Sequence, residues 1–175
     1  MKQLKQLKQL KQLKQQKRHT VIDSPYGPLT LVADDGVLCG LYMTDQRHRP
    51  LEESFGGRDD MLFGESQEQL EAYFAGELKE FTLELRLHGT PFQRLVWEQL
   101  ARIPYGETRS YGDLAGLLGN PKASRAVGLA NGKNPVGIIV PCHRVVGSDG
   151  SLTGYGGGVE RKQRLLDFER GTALF

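Results

Sequence analysis

Ser110-Tyr111-Gly112-Asp113-Leu114-Ala115-Gly116-Leu117-Leu118-Gly119, then Asn120-Pro121, then Lys122-Ala123-Ser124-Arg125-Ala126-Val127-Gly128-Leu129-Ala130-Asn131, is the stretch that decides the architecture of this 175-residue chain. The first part reads as a short capped helix closed by glycine. Asn120-Pro121 restarts the chain into a second helix, so two short helices meet at a tight glycine-containing turn. That is the organisation of a helix-turn-helix, although any helical hairpin gives the same pattern. Reading base edges in a major groove calls for several long polar side chains, whereas the second helix offers Ala123, Ser124, Ala126 and Gly128 around the single Arg125. Small residues let a helix lie close in a narrow groove, which suits minor-groove docking with little sequence preference.

Downstream, the apolar run Val136-Gly137-Ile138-Ile139-Val140 leads into Pro141-Cys142-His143-Arg144-Val145. A thiol is nucleophilic as its thiolate, and at an ordinary pKa of about 8.5 little of it is ionised near neutrality without a base or a positive charge beside it. His143 and Arg144 are candidates for that help. By itself a Cys-His pair is more often core than catalyst, because free cysteine is among the most buried residue types. The surroundings alter that weighting: Asn134-Pro135 precedes the run, Gly154-Tyr155-Gly156-Gly157-Gly158 follows, and a helix carrying Glu169 comes next.

Asn-Pro, five residues, then Pro-Cys-His-Arg-Val resembles the active-site signature of the O6-alkylguanine-DNA alkyltransferases (methylated-DNA–protein-cysteine methyltransferases). The resemblance is strong over residues 89–171 and looser over 20–88. It implies an α/β (α+β) protein, with an N-terminal ribonuclease-H-like antiparallel sheet domain and a C-terminal winged-helix (helix-turn-helix) domain. It also implies a single, stoichiometric transfer of an alkyl group from O6-alkylguanine in DNA to Cys142, with O4-alkylthymine as a second candidate substrate. His143 matches the base that takes the thiol proton through a water, Glu169 the acid that orients it, and Tyr111 the donor toward the departing guanine. Asn134 matches the residue tying the turn to the pocket. Arg125 matches the arginine that fills the gap left when the target nucleotide is rotated out of the duplex. Val145 and Cys142 would offer backbone carbonyls to the guanine amino group, with Tyr155 and Gly156 at the pocket mouth. Gly156 departs from members with serine there, which puts a hydroxyl contact to O6 in doubt.

Each residue also has a plainer reading. Arg125 could be a phosphate-contacting or surface arginine, Glu169 a solvated helix charge, and the glycine-rich segment a flexible turn. Three further functions compete: a noncatalytic lesion binder of the same fold, a Cys-His hydrolase, and a winged-helix regulator. Cys142 argues against the first, adjacency of Cys142 and His143 against the second, and the Pro-Cys-His-Arg-Val string against the third.

Composition is that of a globular protein, with 38% apolar and 25% charged residues. No stretch is long and apolar enough for a membrane span, and no secretory signal is evident, so a cytoplasmic location is expected; a monomer is expected as well. Two cysteines and four scattered histidines give no ligand spacing for structural zinc, no cofactor is implied, and Cys39 and Cys142 are expected as free thiols, Cys39 in a buried strand.

The net charge of +2 hides an asymmetry. Residues 1–18 carry seven basic and no acidic residues, 19–88 five basic against fourteen acidic, and 89–175 eleven basic against seven acidic. A basic C-terminal part beside an acidic one suits a polyanion bound on one side. These boundaries also define the expected tail, N-terminal domain and C-terminal domain.

The opening Lys-Gln-Leu repeat puts Leu4, Leu7, Leu10 and Leu13 on a drifting stripe, and is expected to be a solvated low-complexity tail, with nonspecific affinity for DNA or an anionic surface as the alternative. From Thr20 to Met43 the pattern predicts an antiparallel meander, with turns at residues 24–28 and 34–36. Residues 45–62 read as loop. A helix with the capping box Ser66/Gln69 should bury Leu70, Tyr73 and Phe74 and stop at Gly76, and residues 81–87 should form a last strand. The second half should begin with a helix capped by Thr90, Pro91 and Gln93, burying Phe92, Leu95, Val96 and Leu100, with Trp97 in the core.

Overall fold

The computed structural model describes residues 1–172, with side chains outside the description at residues 10–15. The N-terminal half is a four-stranded sheet in the order β3-β2-β1-β4, built from β1 (Lys17–Ile22), β2 (Leu29–Asp34), β3 (Val37–Met43) and β4 (Gly57–Arg58). The β2–β3 hairpin turns on Asp35 and Gly36, whose φ angles of 50° and 78° meet the demand of a tight two-residue turn for two left-handed residues. The sheet is antiparallel except at its edge, where β4 pairs in parallel with β1. That edge arises inside the segment expected to be loop, after a single 3-10 turn at Glu52–Phe55. Gly56 makes it possible, since a Cβ there would collide with the carbonyl of Lys17.

Three other expectations are corrected. Residues Lys2–Gln15 form a helix, α1. Leu, Lys and Gln are all strong helix formers and no Gly, Pro or β-branched residue interrupts them, so propensity prevails where amphipathic pattern is missing. Leu4 and Leu7 are exposed, as a drifting stripe requires; Leu10 and Leu13 lie outside the described side chains. Helix α2 (Gly64–Phe74) starts two residues before the expected cap. Ser66 is buried in its first turn, and Gln69 instead holds the next segment, bonding the Thr82 hydroxyl at 3.0 Å and backbone N–H at 2.9 Å. That segment, residues 81–87, is pinned there and makes a single bridge, Leu38 to Leu85, rather than a strand.

In the second half, helix α3 (Pro91–Ala101) has its capping box in full: the Gln93 N–H donates to Thr90 Oγ1 at 3.1 Å, and the Thr90 N–H to Gln93 Oε1 at 2.9 Å. Val96, Trp97 and Leu100 face the core, but Phe92 and Leu95 are exposed, because the buried stripe is rotated toward Trp97. The Trp97 indole donates to the carbonyl of Ala130 at 2.8 Å, tying α3 to the second helix of the pair. That pair is α4 (Tyr111–Leu117), capped by Ser110, and α5 (Ser124–Gly132). Two short strands, β5 (Arg109–Ser110) and β6 (Val145–Val146), run in parallel beside them, and α6 (Val159–Glu169) closes the fold.

Both halves share one core, which contains Leu31 and Leu41 of the sheet together with Trp97, Val127, Cys142 and Leu165. Fully burying a leucine is worth roughly 1.5–3 kcal/mol. The active-site segment is therefore held against the sheet, and the Leu41 N–H donates to Pro135 at 2.9 Å. Cys39 is buried in a separate small cluster with Val32, Tyr42 and Phe55 on the other face.

Candidate active site and DNA face

The apolar run before the cysteine is not a strand but two consecutive tight turns. The Ile139 N–H bonds the carbonyl of Gly137 at 2.8 Å, and the Cys142 N–H that of Val140 at 2.8 Å, each closing a three-residue turn. Ile138 sits at φ 71°, a left-handed conformation that costs a β-branched residue about 1–3 kcal/mol. Asn134 supplies what a neighbouring strand would: its Oδ1 accepts the N–H of Val136 at 3.0 Å and its Nδ2 donates to Val140 at 2.8 Å. Pro141, at φ −82° and ψ 65°, then turns Cys142 onto the 3-10 segment Cys142–Arg144.

Behind the thiol lies a buried ionic network. Glu169 Oε2 accepts from the Tyr73 hydroxyl at 2.6 Å, from Arg144 NH2 at 2.9 Å, and from His143 Nε2 at 2.9 Å; Oε1 accepts from Arg144 Nε at 2.8 Å. A carboxylate accepts only, so Nε2 carries the proton and the lone pair of neutral His143 lies on Nδ1. Nδ1 is buried and has no protein partner among the described residues. Burial opposes ionisation of Glu169, but its bonds to His143 and Arg144 outweigh that and hold its carboxyl well below the usual range. Burial lowers the His143 pKa, with Glu169 pulling the other way. Burial also raises the Cys142 thiol, countered by Asn134 and by the charge of Lys162.

In front of the thiol, a cleft of about 530 Å³ is lined by Tyr111, Ser124, Arg125, Gly128, Leu129 and Gly132 on one side and by Thr153, Gly154, Tyr155 and Gly156 on the other, with Arg47 and His48 at its edge. A smaller crevice holds Cys142 with Gln46, Asn131, Asn134, Gly137 and Gly157. Gly132, Tyr155 and Gly156 line both, and so separate the wide cleft from the sulfur. On α5, Arg125, Ala126 and Leu129 point outward, Ser124 and Gly128 are half-buried, and Ala123 stands just before the helix.

The structure thus joins Cys142, His143 and Glu169, sets Asn134 beneath them, and puts Tyr111, Tyr155, Gly156 and Arg125 around the cleft. The Tyr111 hydroxyl donates to the carbonyl of Thr153 at 2.9 Å. The Cys142 carbonyl accepts twice inside the protein, from the Val145 N–H and from Asn131 Nδ2 at 3.3 Å. Val145 itself is fully buried in β6.

Tyr73, Lys162, Asn131 and Arg47 had no sequence signal of their own, while Arg144, a candidate from the sequence, pairs with Glu169. Tyr73 and Arg144 complete the network around Glu169. Lys162 is fully buried on α6, holds the Thr153 carbonyl at 3.1 Å, and is lowered by burial to about 8. Asn131 fixes the carbonyl of Cys142. Arg47 brings the N-terminal half to the cleft, its N–H bonding Gly156 at 2.8 Å. Gly157 is also required, because a Cβ there would lie 2.6 Å from the Met43 sulfur. At Gly156 the added atom would meet the flexible Gln46 side chain at 3.3 Å, a milder constraint. No group of three or more His, Cys, Asp or Glu able to hold a metal occurs among the described residues. No described helix is long and apolar enough to cross a membrane.

Comparison with known proteins agrees with this geometry along the chain. Residues 91–171 match the model of the 6-O-methylguanine DNA methyltransferase DNA-binding domain, and residues 17–87 that of the ribonuclease-like domain. The methylated-DNA–protein-cysteine methyltransferase of Mycobacterium bovis is 55% identical over 155 residues, spanning 89% of this chain and 93% of its own. That of Methanosarcina acetivorans is 49% identical, spanning 86% and 97%. Among solved structures, Mycobacterium tuberculosis OGT in complex with DNA superposes with a TM-score of 0.85 at 54% identity, covering 89% of this chain and 94% of that one. The chain belongs to the 6-O-methylguanine DNA methyltransferase family.

Proposed function

We propose that Cys142 is the acceptor in a methylated-DNA–protein-cysteine methyltransferase reaction that repairs DNA, taking the alkyl group from O6 of guanine in one displacement. The observation that carries this reading is the Glu169–His143 bond, which leaves the basic nitrogen of a buried imidazole on the residue next to a buried thiol. At rest the thiol keeps its proton, because burial disfavours the charged form of both partners. Proton transfer from sulfur to His143 Nδ1, through a bridging water, forms the thiolate as the base arrives. The sulfur then attacks the alkyl carbon, the carbon–O6 bond breaks, and its electron pair leaves with guanine. Glu169 and Arg144 hold the imidazole in place while it carries the proton.

Tyr111 lies on the cleft wall and would donate toward the leaving guanine after exchanging its bond to Thr153. Asn134 keeps the turn that aims the sulfur. The carbonyl of Val145 is the better candidate for the guanine amino group, since that of Cys142 already accepts twice. Tyr155 and Gly156 would flank the extruded base between cleft and thiol.

Duplex DNA would bind through its minor groove against α5, with Ala123, Ser124, Ala126 and Gly128 allowing close approach and Arg125 entering the gap left by the flipped nucleotide. A thioether is not readily reversed, so each molecule would act once, as a monomer, with its thiol kept reduced in the cytoplasm. The division at residues 18 and 88 would separate tail, sheet domain and DNA-binding domain. The test is transfer of label from duplex DNA bearing tritiated O6-methylguanine: stoichiometric label on protein, lost in Cys142→Ala, supports the reading, and continuous release of a small product overturns it.

A further inference from the structure

Helix α1 lies before residue 17, where the first family match begins. We propose that it is an electrostatic arm for duplex DNA, gripping the phosphate backbone beyond the lesion. This rests on the DNA-directed function proposed above. Helix α1 carries five lysines and no acidic residue, while residues 16–88 carry seven basic against fourteen acidic. Without the arm, the N-terminal half would repel the polyanion that the C-terminal half must hold; with it, that half is nearly neutral.

Three of the arm's lysines are not spent internally. Lys2, Lys5 and Lys8 are exposed, and no acidic side chain pairs with them among the described residues. The sequence period of three also selects the partner. At 3.6 residues per turn, each repeat steps back about 60° around the axis. Lysine and leucine positions therefore spiral together, giving neither the continuous apolar face that lies in a membrane nor the 3.5-residue seam of a coiled coil. A cationic rod of this kind asks only for a line of negative charge. Fourteen residues at 1.5 Å each span about 21 Å, the reach of roughly six phosphates along one strand.

The test uses the full chain with Lys2, Lys5, Lys8, Lys11 and Lys14 all changed to Gln, which keeps helix propensity and removes charge. Affinity for an undamaged duplex is measured against salt, and single-turnover methyl transfer is measured separately at saturating DNA. If three or more lysines neutralise phosphates, the slope of log affinity against log salt becomes shallower by about 3. The transfer rate should stay unchanged, and the corresponding Lys-to-Arg variant should keep the original slope. An unchanged slope in the Gln variant overturns the proposal. So does an unchanged slope accompanied by lost binding to phosphatidylserine vesicles, which would make the arm a membrane contact. Failure of methyl transfer in the parent protein would instead strike the proposed reaction, leaving the salt slope readable.

Discussion

The two sides of Cys142 are built on opposite principles. Behind it, Tyr73, His143 and Arg144 are buried and each bonded to the buried Glu169; in front, Arg125 and Leu129 stand in solvent along a wide cleft. The closed side fixes a proton acceptor to one nitrogen. The open side carries few polar groups able to read a sequence. Damage to the closed side should affect stability and chemistry together, whereas damage to the open side should affect only work on duplex DNA.

Glu169→Gln should have the largest effect. The new amide presents a donor to His143 Nε2 and Arg144 where both need an acceptor, and leaves Arg144 buried without its counter-charge. Breaking a buried pair in this way costs about 3–5 kcal/mol, and losing the oriented base should slow transfer about 100-fold or more. Denaturant unfolding and single-turnover labelling read the two losses. A variant as stable and as fast as the parent would dissolve the contrast between the two sides.

The same network predicts an acid limb. His143 is held below its ordinary 6.5 and Glu169 below its ordinary 4.5, so as pH falls the unfolded chain binds each proton before the folded one does. Their contribution is complete above about 6.5 and is lost on acidification, first through the His143 window and then more steeply below 4.5. Every tenfold difference in proton affinity between folded and unfolded chains is worth about 1.4 kcal/mol. Melting temperature against pH measures it, and Glu169→Gln should flatten the lower part. The transfer rate should likewise rise with pH through the lowered His143 range, since only neutral imidazole accepts a proton.

On the open side, Arg125→Ala should slow transfer from a duplex about 10-fold, the equivalent of about 1.4 kcal/mol, while leaving reaction with free O6-methylguanine base and the melting temperature unchanged. Equal losses on both substrates would move Arg125 into the pocket chemistry. The smallest effect belongs to neither side: Thr90→Ala removes the α3 cap, should cost about 1 kcal/mol of stability, and should leave transfer untouched.

What the sequence reveals follows the range of each interaction. The caps at Thr90 and Ser110 and the Asp35-Gly36 turn are legible because all their partners lie within a few residues. The Ser66 cap misleads for a tertiary reason: Gln69 is drawn to Thr82. Cys142, His143 and Glu169 are found through their motif, yet Tyr73 reaches Glu169 from 96 residues away and nothing local marks it. Arg47 is hidden in the same way, because a loop reads as loop until the chain brings it against Gly156. The apolar run at 136–140 has strand composition, but Asn134 satisfies its backbone from one side and makes it a turn.

Peptide mapping by mass spectrometry, after incubation with excess duplex carrying O6-methylguanine, tests the central claim most directly. One methyl per chain on the peptide containing Cys142, with Cys39 unmodified and the lesion converted to guanine, is the predicted result. A Cys142 left unmodified while the lesion disappears would contradict it.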